Sequence, residues 1–261
     1  MRKEFLLIFI LSSCLVFAQQ GKGIIYYGYI QALDLGNAKG PDSNAYMVFN
    51  KNQSYYVTAK DSLEKTNIGN AQKSYSKDNA TGSIHLGMKV SSQGDQVVYD
   101  IKKNTMWSNV LFRKQFYLKE ISPKMNWKIE IESKKIGKFT CKKATTTFRG
   151  RNYIAWYTTD IAVPFGPWKL NGLPGLILEA YDTTKAVNWY FKSVEYPTKN
   201  SQNVSYIKAQ KKYKIHSYEE FKIFQIQQRN ITIDKQKVVQ KMYPNVIFNE
   251  PELSAMFLEF D

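Results

Sequence analysis

Cysteine and histidine are scarce, with two of each in 261 residues: Cys14, Cys141, His85 and His216. So few thiols exclude a disulfide-dense scaffold, and two distant histidines beside isolated cysteines do not make a metal-ligand set. No metal and no cofactor is expected. Glycine (14) and proline (8) are too sparse for collagen-like or linker-like sequence. Beyond Ala18 no apolar run approaches the roughly 20 residues of a membrane-spanning helix. Acidic residues are also short, 22 against 37 Lys and Arg, and the net charge of +15 points to anionic surfaces, lipids, polymers or solutes as partners. Apolar and aromatic side chains are what the chain has in quantity. At 43% hydrophobic and 15% aromatic it is not globally disordered, and its length suits one domain with a sizeable core.

The first twenty residues read as an address. Arg2 and Lys3 form a basic segment, Phe5 to Phe17 an apolar run of signal-peptide length, and Val16-Phe17-Ala18 a cleavage site before Gln19. This predicts export through a signal peptide over residues 1–18, followed by a single β-rich domain over 19–261, in the periplasm or at the outer-membrane periphery. Leu11-Ser12-Ser13-Cys14 offers a second cleavage, that of a lipoprotein anchored at Cys14. Removing residues 1–18 takes away two cations and one anion, Arg2, Lys3 and Glu4, and leaves +14. It also leaves Cys141 as the sole thiol, read as a buried structural group in preference to a nucleophile, because neither histidine stands in a recognisable catalytic context.

Period two dominates the rest. Met125, Trp127, Ile129 and Ile131 alternate with Asn126, Lys128, Glu130 and Glu132, which predicts a strand with its apolar residues buried. Further strand-like runs lie at Ile24 to Gln31, Tyr46 to Phe49, Ser54 to Ala59, Gln96 to Ile101, Phe139 to Phe148, Tyr153 to Thr158, Leu176 to Tyr181, Asn188 to Tyr196 and Val204 to Ala209. Short strands without alternating helices predict a mainly β fold: an antiparallel sheet forming a half-open barrel or sandwich. Ser62 to Gly94, rich in Lys, Asn, Ser and Gly, reads as a long surface excursion. One helix is expected in the C-terminal half, over about 217–229 and packed against the sheet. Ser217 and Glu220 have capping-box spacing there, and Tyr218, Phe221 and Phe224 form a stripe, with Ile223 and Ile226 at its flanks. It serves either as a cover for the sheet or as a lid over a ligand cavity. The apolar tail from Val246 to Phe260 is expected to pack against the body or to pair as a strand.

The most distinctive stretch runs from Phe148 to Ile177 and contains Gly150-Arg151-Asn152-Tyr153-Ile154-Ala155-Trp156-Tyr157-Thr158 and Gly172-Leu173-Pro174-Gly175-Leu176-Ile177. With Gly137-Lys138-Phe139-Thr140-Cys141-Lys142-Lys143-Ala144 upstream, it resembles the GLPGLI family of secreted proteins, found mainly in Bacteroidota. The resemblance implies no established activity and no catalytic residues. It implies a genomic neighbourhood of TonB-dependent outer-membrane receptors, and hence a receptor of that type as a partner. From the residues themselves, Pro167 and Pro174 fix the backbone while Gly166, Gly172 and Gly175 permit unusual conformations, so the segment is a tightly shaped loop. Its role is either to plug Trp168 and Leu173 into the core or to bind. No GKS or GKT follows the glycines and Leu176 opens a strand, so a phosphate cradle is not expected.

Arg149 and Arg151 beside Tyr153, Trp156 and Tyr157, together with Trp168, form the candidate binding set for a ligand or partner. Arginines among aromatics suit anionic or planar ligands. The competing reading is a wet strand face, with Trp156 on the opposite parity. Nucleic acid is not expected as a partner, because no recognition motif is present. The sequons at Asn52, Asn79, Asn203 and Asn230 are read as chance. The residues favour a non-enzymatic envelope protein binding a hydrophobic or anionic ligand, an anionic envelope lipid or an outer-membrane partner. The alternatives are a hydrolase using Cys141 or carboxylates such as Asp160 and Asp182, and a structural envelope subunit.

Overall fold

The computed structural model describes residues 21–33, 42–58, 94–112, 114–200 and 213–261. The expected signal peptide with Cys14, all but the end of the Ser62 to Gly94 excursion, the Val204 to Ala209 strand, and His85 lie outside the described residues. Six strands precede residue 122: β1 Gly23–Gln31, β2 Asp42–Phe49, β3 Gln53–Thr58, β4 Gln96–Asp100, β5 Thr105–Phe112 and β6 Lys114–Ile121. Six follow: β7 Lys128–Ile136, β8 Phe139–Phe148, β9 Arg151–Thr158, β10 Leu176–Asp182, β11 Val187–Glu195 and the two-residue β12 Ile215–His216. The helices are α1 Tyr218–Met242 and the single turn α2 Leu253–Met256. No helix among the described residues is long and apolar enough to cross a membrane.

All twelve strands form one sheet, in the order β12-β6-β5-β4-β3-β2-β1-β11-β10-β9-β8-β7. Every pairing is antiparallel except β12 with β6, so the sheet is mixed. It is a single curled sheet, neither a sandwich nor a closed barrel, since β12 and β7 stand at opposite ends of the order. The curl follows from one contact. β6 and β9 are eight strands apart, on the order of 38 Å in a flat sheet at the usual strand spacing. Yet Arg149, in the turn just before β9, forms an ion pair with Glu120 of β6.

Alternation places Ile25, Tyr27 and Tyr29 of β1, Ala45, Met47 and Phe49 of β2, and Val187 and Trp189 of β11 in the main core. Ile24, Tyr46, Val48 and Val57 form a smaller cluster of the opposite parity. Ser217 caps α1 as the capping-box spacing predicts: its Oγ accepts from Glu220 N at 3.1 Å, and Glu220 Oε2 accepts from Ser217 N at 3.0 Å. The first turns of α1 bury Tyr218 and Phe221 against Phe116 and Leu118 of β6.

Two expectations require correction. The helix continues past Arg229 to Met242, because the chain offers no stop until Pro244, whose ring disfavours helix at the residue before it. The stripe beyond Phe224 is not buried: Ile226, Ile231, Val238 and Met242 are exposed. Ile129 and Ile131 are exposed too, at 53% and 102%, while Glu130 is half-buried. β7 is the last strand of the sheet and carries a register irregularity between Ile129 and Ser133, so its alternation does not follow the core.

Candidate functional site

The curl leaves a cavity of about 490 Å³ between the sheet, α1 and the C-terminal tail. That lies in the size range of small-molecule sites. One wall is Tyr29, Tyr56, Val97 and the run Ser108 to Phe112, a second is Trp168 and Trp189, and a third is Phe221, Gln225 and Met256 to Glu259. The aromatic wall is rigid. Tyr29 stacks on Trp189 at 5.3 Å and Trp168 stacks on it at 6.0 Å, while Trp189 Nε1 donates to Tyr56 Oη at 2.8 Å. Burial raises the Tyr29 and Tyr56 hydroxyls well above the usual phenol range, so both are neutral donors and acceptors.

Trp168 owes its place to the loop between β9 and β10. Gly172 N donates to Pro164 O at 3.0 Å, Leu170 N to Pro167 O at 3.1 Å and Ile177 N to Phe165 O at 2.9 Å, which folds the segment back on itself. Trp127 Nε1 fastens it from outside by donating to Asn171 O at 2.7 Å. Trp168 itself has φ of 55°, a strained conformation for a bulky residue. Leu173, Phe165, Leu170 and Ile161 are buried in the main core around it.

The third wall is held by charge. Lys169 Nζ lies 2.8 Å from both carboxylate oxygens of Glu259 and 2.7 Å from Glu120 Oε1. The Arg149 guanidinium bonds Glu120 and sits 3.3 Å from the centroid of the Tyr218 ring, a cation–π contact. Arg151 pairs with Asp182 at 3.2 Å and donates to the carbonyls of Ser254, Phe257 (3.0 Å) and Leu258 (2.9 Å). Gln225 Nε2 of α1 donates to Glu259 O at 2.7 Å. Burial raises the Glu259 carboxyl above its ordinary value, Lys169 opposes the rise, and Glu120 adds to it. Residues 254–261 are thus strapped across the β8–β9 turn. Arg149 and Gly150 make that turn with φ of 50° and 79°, and Phe260 N donates to Arg149 O at 3.1 Å. Gly150 is needed there, because a Cβ would stand 1.9 Å from Phe260 O.

A family model described as "Protein of unknown function (Porph_ging)" matches residues 149–179. No curated protein matches the chain. Among solved structures, two crystal forms titled PNGF-II are similar at 16% and 17% identity, with TM-scores of 0.49 and 0.46, over 77% and 76% of this chain. The chain spans about a third of those proteins, 32% and 31% of their length. The stretch matched by the family model begins at the β8–β9 turn and ends in β10, so it contains Arg149, Arg151, Trp168 and Lys169 together.

Of the residues singled out in the sequence, the fold brings Arg149, Arg151, Tyr153 and Trp168 into one region beside the tail. The wet strand face is not what forms: Arg151 is 7% exposed and Tyr153 1%, and Arg149 belongs to the turn and not to a strand. Both guanidinium groups are engaged by the chain's own carboxylates and carbonyls. Trp156 has the opposite parity and lies under the Lys134 ammonium, 4.5 Å from its ring centroid. Tyr157 lies farther along β9, buried. Gly172 to Ile177 complete the loop and open β10; Gly172 alone of Gly166, Gly172 and Gly175 has a positive φ, of 92°.

Cys141 is fully buried, its Sγ facing Phe139 O at 4.0 Å, and burial pushes the thiol up to about 11. His216 stands elsewhere, at the start of α1 against Phe116 and Glu220. Asp182 accepts from Arg151, Thr184 Oγ1 (2.7 Å) and Val187 N (2.9 Å), and Asp160 is exposed. Sequence reasoning missed Ser108, Glu120, Lys169, Gln225 and Glu259. Of these only Lys169 lies in the distinctive Phe148 to Ile177 stretch, and only an isolated charge in an apolar stretch, Lys169 after Trp168 and Glu259 between Leu258 and Phe260, could have marked two of them.

Proposed function

We propose that this is a non-enzymatic, exported envelope protein that holds a hydrophobic ligand in the cavity between its curled sheet and the strap formed by α1 and the tail. The observation that carries the proposal is the cavity of about 490 Å³ with a mostly apolar, aromatic-stacked lining. A purely structural subunit has no need of such a space. The N-terminal signal-like segment, the +15 charge and the GLPGLI-like hexapeptide support an envelope location, in the periplasm or at the outer-membrane periphery. They also support either a TonB-dependent receptor or anionic envelope lipid as the partner at the surface. The hydrolase alternative needs a thiolate and a base, and Cys141 is a buried thiol whose bonded neighbour is a carbonyl.

The test is native mass spectrometry of the protein purified from its own envelope without detergent exchange. The expected spectrum has a chain beginning at Gln19 with a bound small molecule that is lost on denaturation. A chain without adduct in every preparation, whose hydrophobic extract is empty, would overturn the binding role. A lipid-modified Cys14 at the N-terminus would replace free export with anchoring.

A further inference from the structure

The far half of α1 takes no part in the core. The buried residues of the helix are Tyr218, Phe221, Gln225 and Gln228, and Met242 stands about 21 Å beyond Gln228 along the axis at 1.5 Å per residue. The chain then turns, with Val246 N donating to Tyr243 O at 3.0 Å, and comes back beside the helix. Three contacts staple the return: Gln236 Nε2 donates to Asn249 O at 3.3 Å, Arg229 Nε donates to Pro251 O at 2.9 Å, and the Arg229 guanidinium pairs with Glu250 at 2.9 Å. The result is a hairpin whose tip is residues 242–248.

The tip is apolar and wet. Every residue from 240 to 250 is exposed, and among them Met242, Tyr243, Val246, Ile247 and Phe248 are large apolar side chains, Ile247 at 86%. Ile231, Val238 and Met242, spaced i, i+7 and i+11, continue the exposed apolar line along one face of α1. Apolar groups gathered in one exposed place mark an interaction site. The charges beside them are of one sign: Lys235, Lys237 and Lys241 are exposed, and the sequence has no acid between Asp234, 4.0 Å from Lys237, and Glu250. A second copy docked through this tip would bring like charges face to face. An anionic bilayer suits both features, since lysines are drawn to its surface while apolar and aromatic side chains enter the headgroup boundary. A convex tip also fits a bilayer, which needs no matching shape.

We propose that the tip of this hairpin docks the protein on an anionic lipid surface, with Met242, Ile247 and Phe248 entering the headgroup boundary and Lys235, Lys237 and Lys241 facing the lipid phosphates. This rests on the envelope reading above for the compartment, and deepens it by naming the surface partner and the residues that meet it. It is independent of what the cavity holds.

The test is flotation with vesicles of phosphatidylcholine alone and of phosphatidylcholine mixed with phosphatidylglycerol. The whole chain is basic, so the readout is the difference between variants of exposed residues. Met242→Ser/Ile247→Ser keeps the charge, and Lys235→Gln/Lys237→Gln/Lys241→Gln keeps the apolar tip. Ile131→Ser and Lys124→Gln/Lys135→Gln/Lys138→Gln are the matching controls in and beside β7. The wild type is expected to bind the anionic vesicles about tenfold more tightly than the neutral ones, and each tip variant to lose about tenfold on the anionic vesicles. The controls should lose less than about twofold, and urea midpoints should be unchanged in all four. Losses as large in the controls as at the tip, or none in the serine variant, would overturn the tip as the contact. Binding to neither vesicle would overturn lipid as the partner, as would flotation only with vesicles that carry outer-membrane proteins. A dimer in sedimentation that the serine variant abolishes would make a second copy the occupant and overturn the proposal. The cavity is read separately by native mass spectrometry: a bound adduct without vesicle binding removes the lipid contact alone, and vesicle binding without an adduct removes the cavity role alone.

Discussion

Lys169 and Glu259, ninety residues apart, share a bidentate ion pair with both oxygens 2.8 Å from the ammonium and neither side chain reaching solvent. Removing Lys169 leaves the buried Glu259 carboxylate with only the more distant Arg149 Nε, 3.7 Å away, which costs about 3–5 kcal/mol. Lys169→Met is therefore expected to lose about that much in urea unfolding. The double variant Lys169→Met/Glu259→Leu should recover most of it, because Glu120 keeps Arg149. A single-variant loss below about 1 kcal/mol, the worth of an exposed pair, would show that water reaches the cluster.

The pH dependence has a definite sign. The Glu259 carboxyl is raised in the folded protein, chiefly by burial, so the folded state binds its proton more tightly than the unfolded state. Its contribution is fully present below the unfolded carboxylate value and is lost as pH rises through the higher folded value. The wild type should thus lose stability relative to Glu259→Gln over that window, read as the difference between their urea midpoints from pH about 4 upward. A difference that grows in favour of the wild type with rising pH would contradict the assignment.

Gly150 and Gly137 both have positive φ, 79° and 56°, but only at Gly150 does a carbonyl of the tail stand 1.9 Å from where a Cβ would go. Alanine at either position carries backbone strain. Only Gly150→Ala should also release the strap, seen as faster amide exchange over residues 253–261 with the sheet unchanged. Equal exchange in both variants would mean that the tail is not held by the turn.

Cys141, with its thiol pushed up to about 11, should resist alkylation in the folded protein at mildly alkaline pH and react at once in denaturant. Rapid labelling of the native protein would restore the case for a nucleophile. The same shift makes the folded state lose stability as pH rises above the ordinary thiol value toward about 11.

How much could be read ahead depended on the range of the interaction. The capping box at Ser217 and Glu220 is local, three residues long, and it forms as spaced. Phe139 to Phe148 is a strand with the expected bounds, although its buried positions change parity between Cys141 and Ala144. β5 was missed: its burial follows neither clean alternation nor a continuous apolar run. Ile129 and Ile131 misled because alternation shows two faces without showing which one is covered. The partners of Arg149 and Arg151 come from Glu120, Asp182 and the carbonyls of the tail, 29 to 107 residues away. No local pattern encodes such pairings, so a strap anchor read as an open binding set.

What occupies the cavity decides the protein's role most directly. A crystal structure of the protein with N-phenylnaphthylamine, a neutral apolar probe, is predicted to show the probe between Trp168, Val110 and Phe257 with the tail closed over it. Probe density only on the outer surface, or side chains collapsed into the space between Trp168 and Ser108, would contradict it.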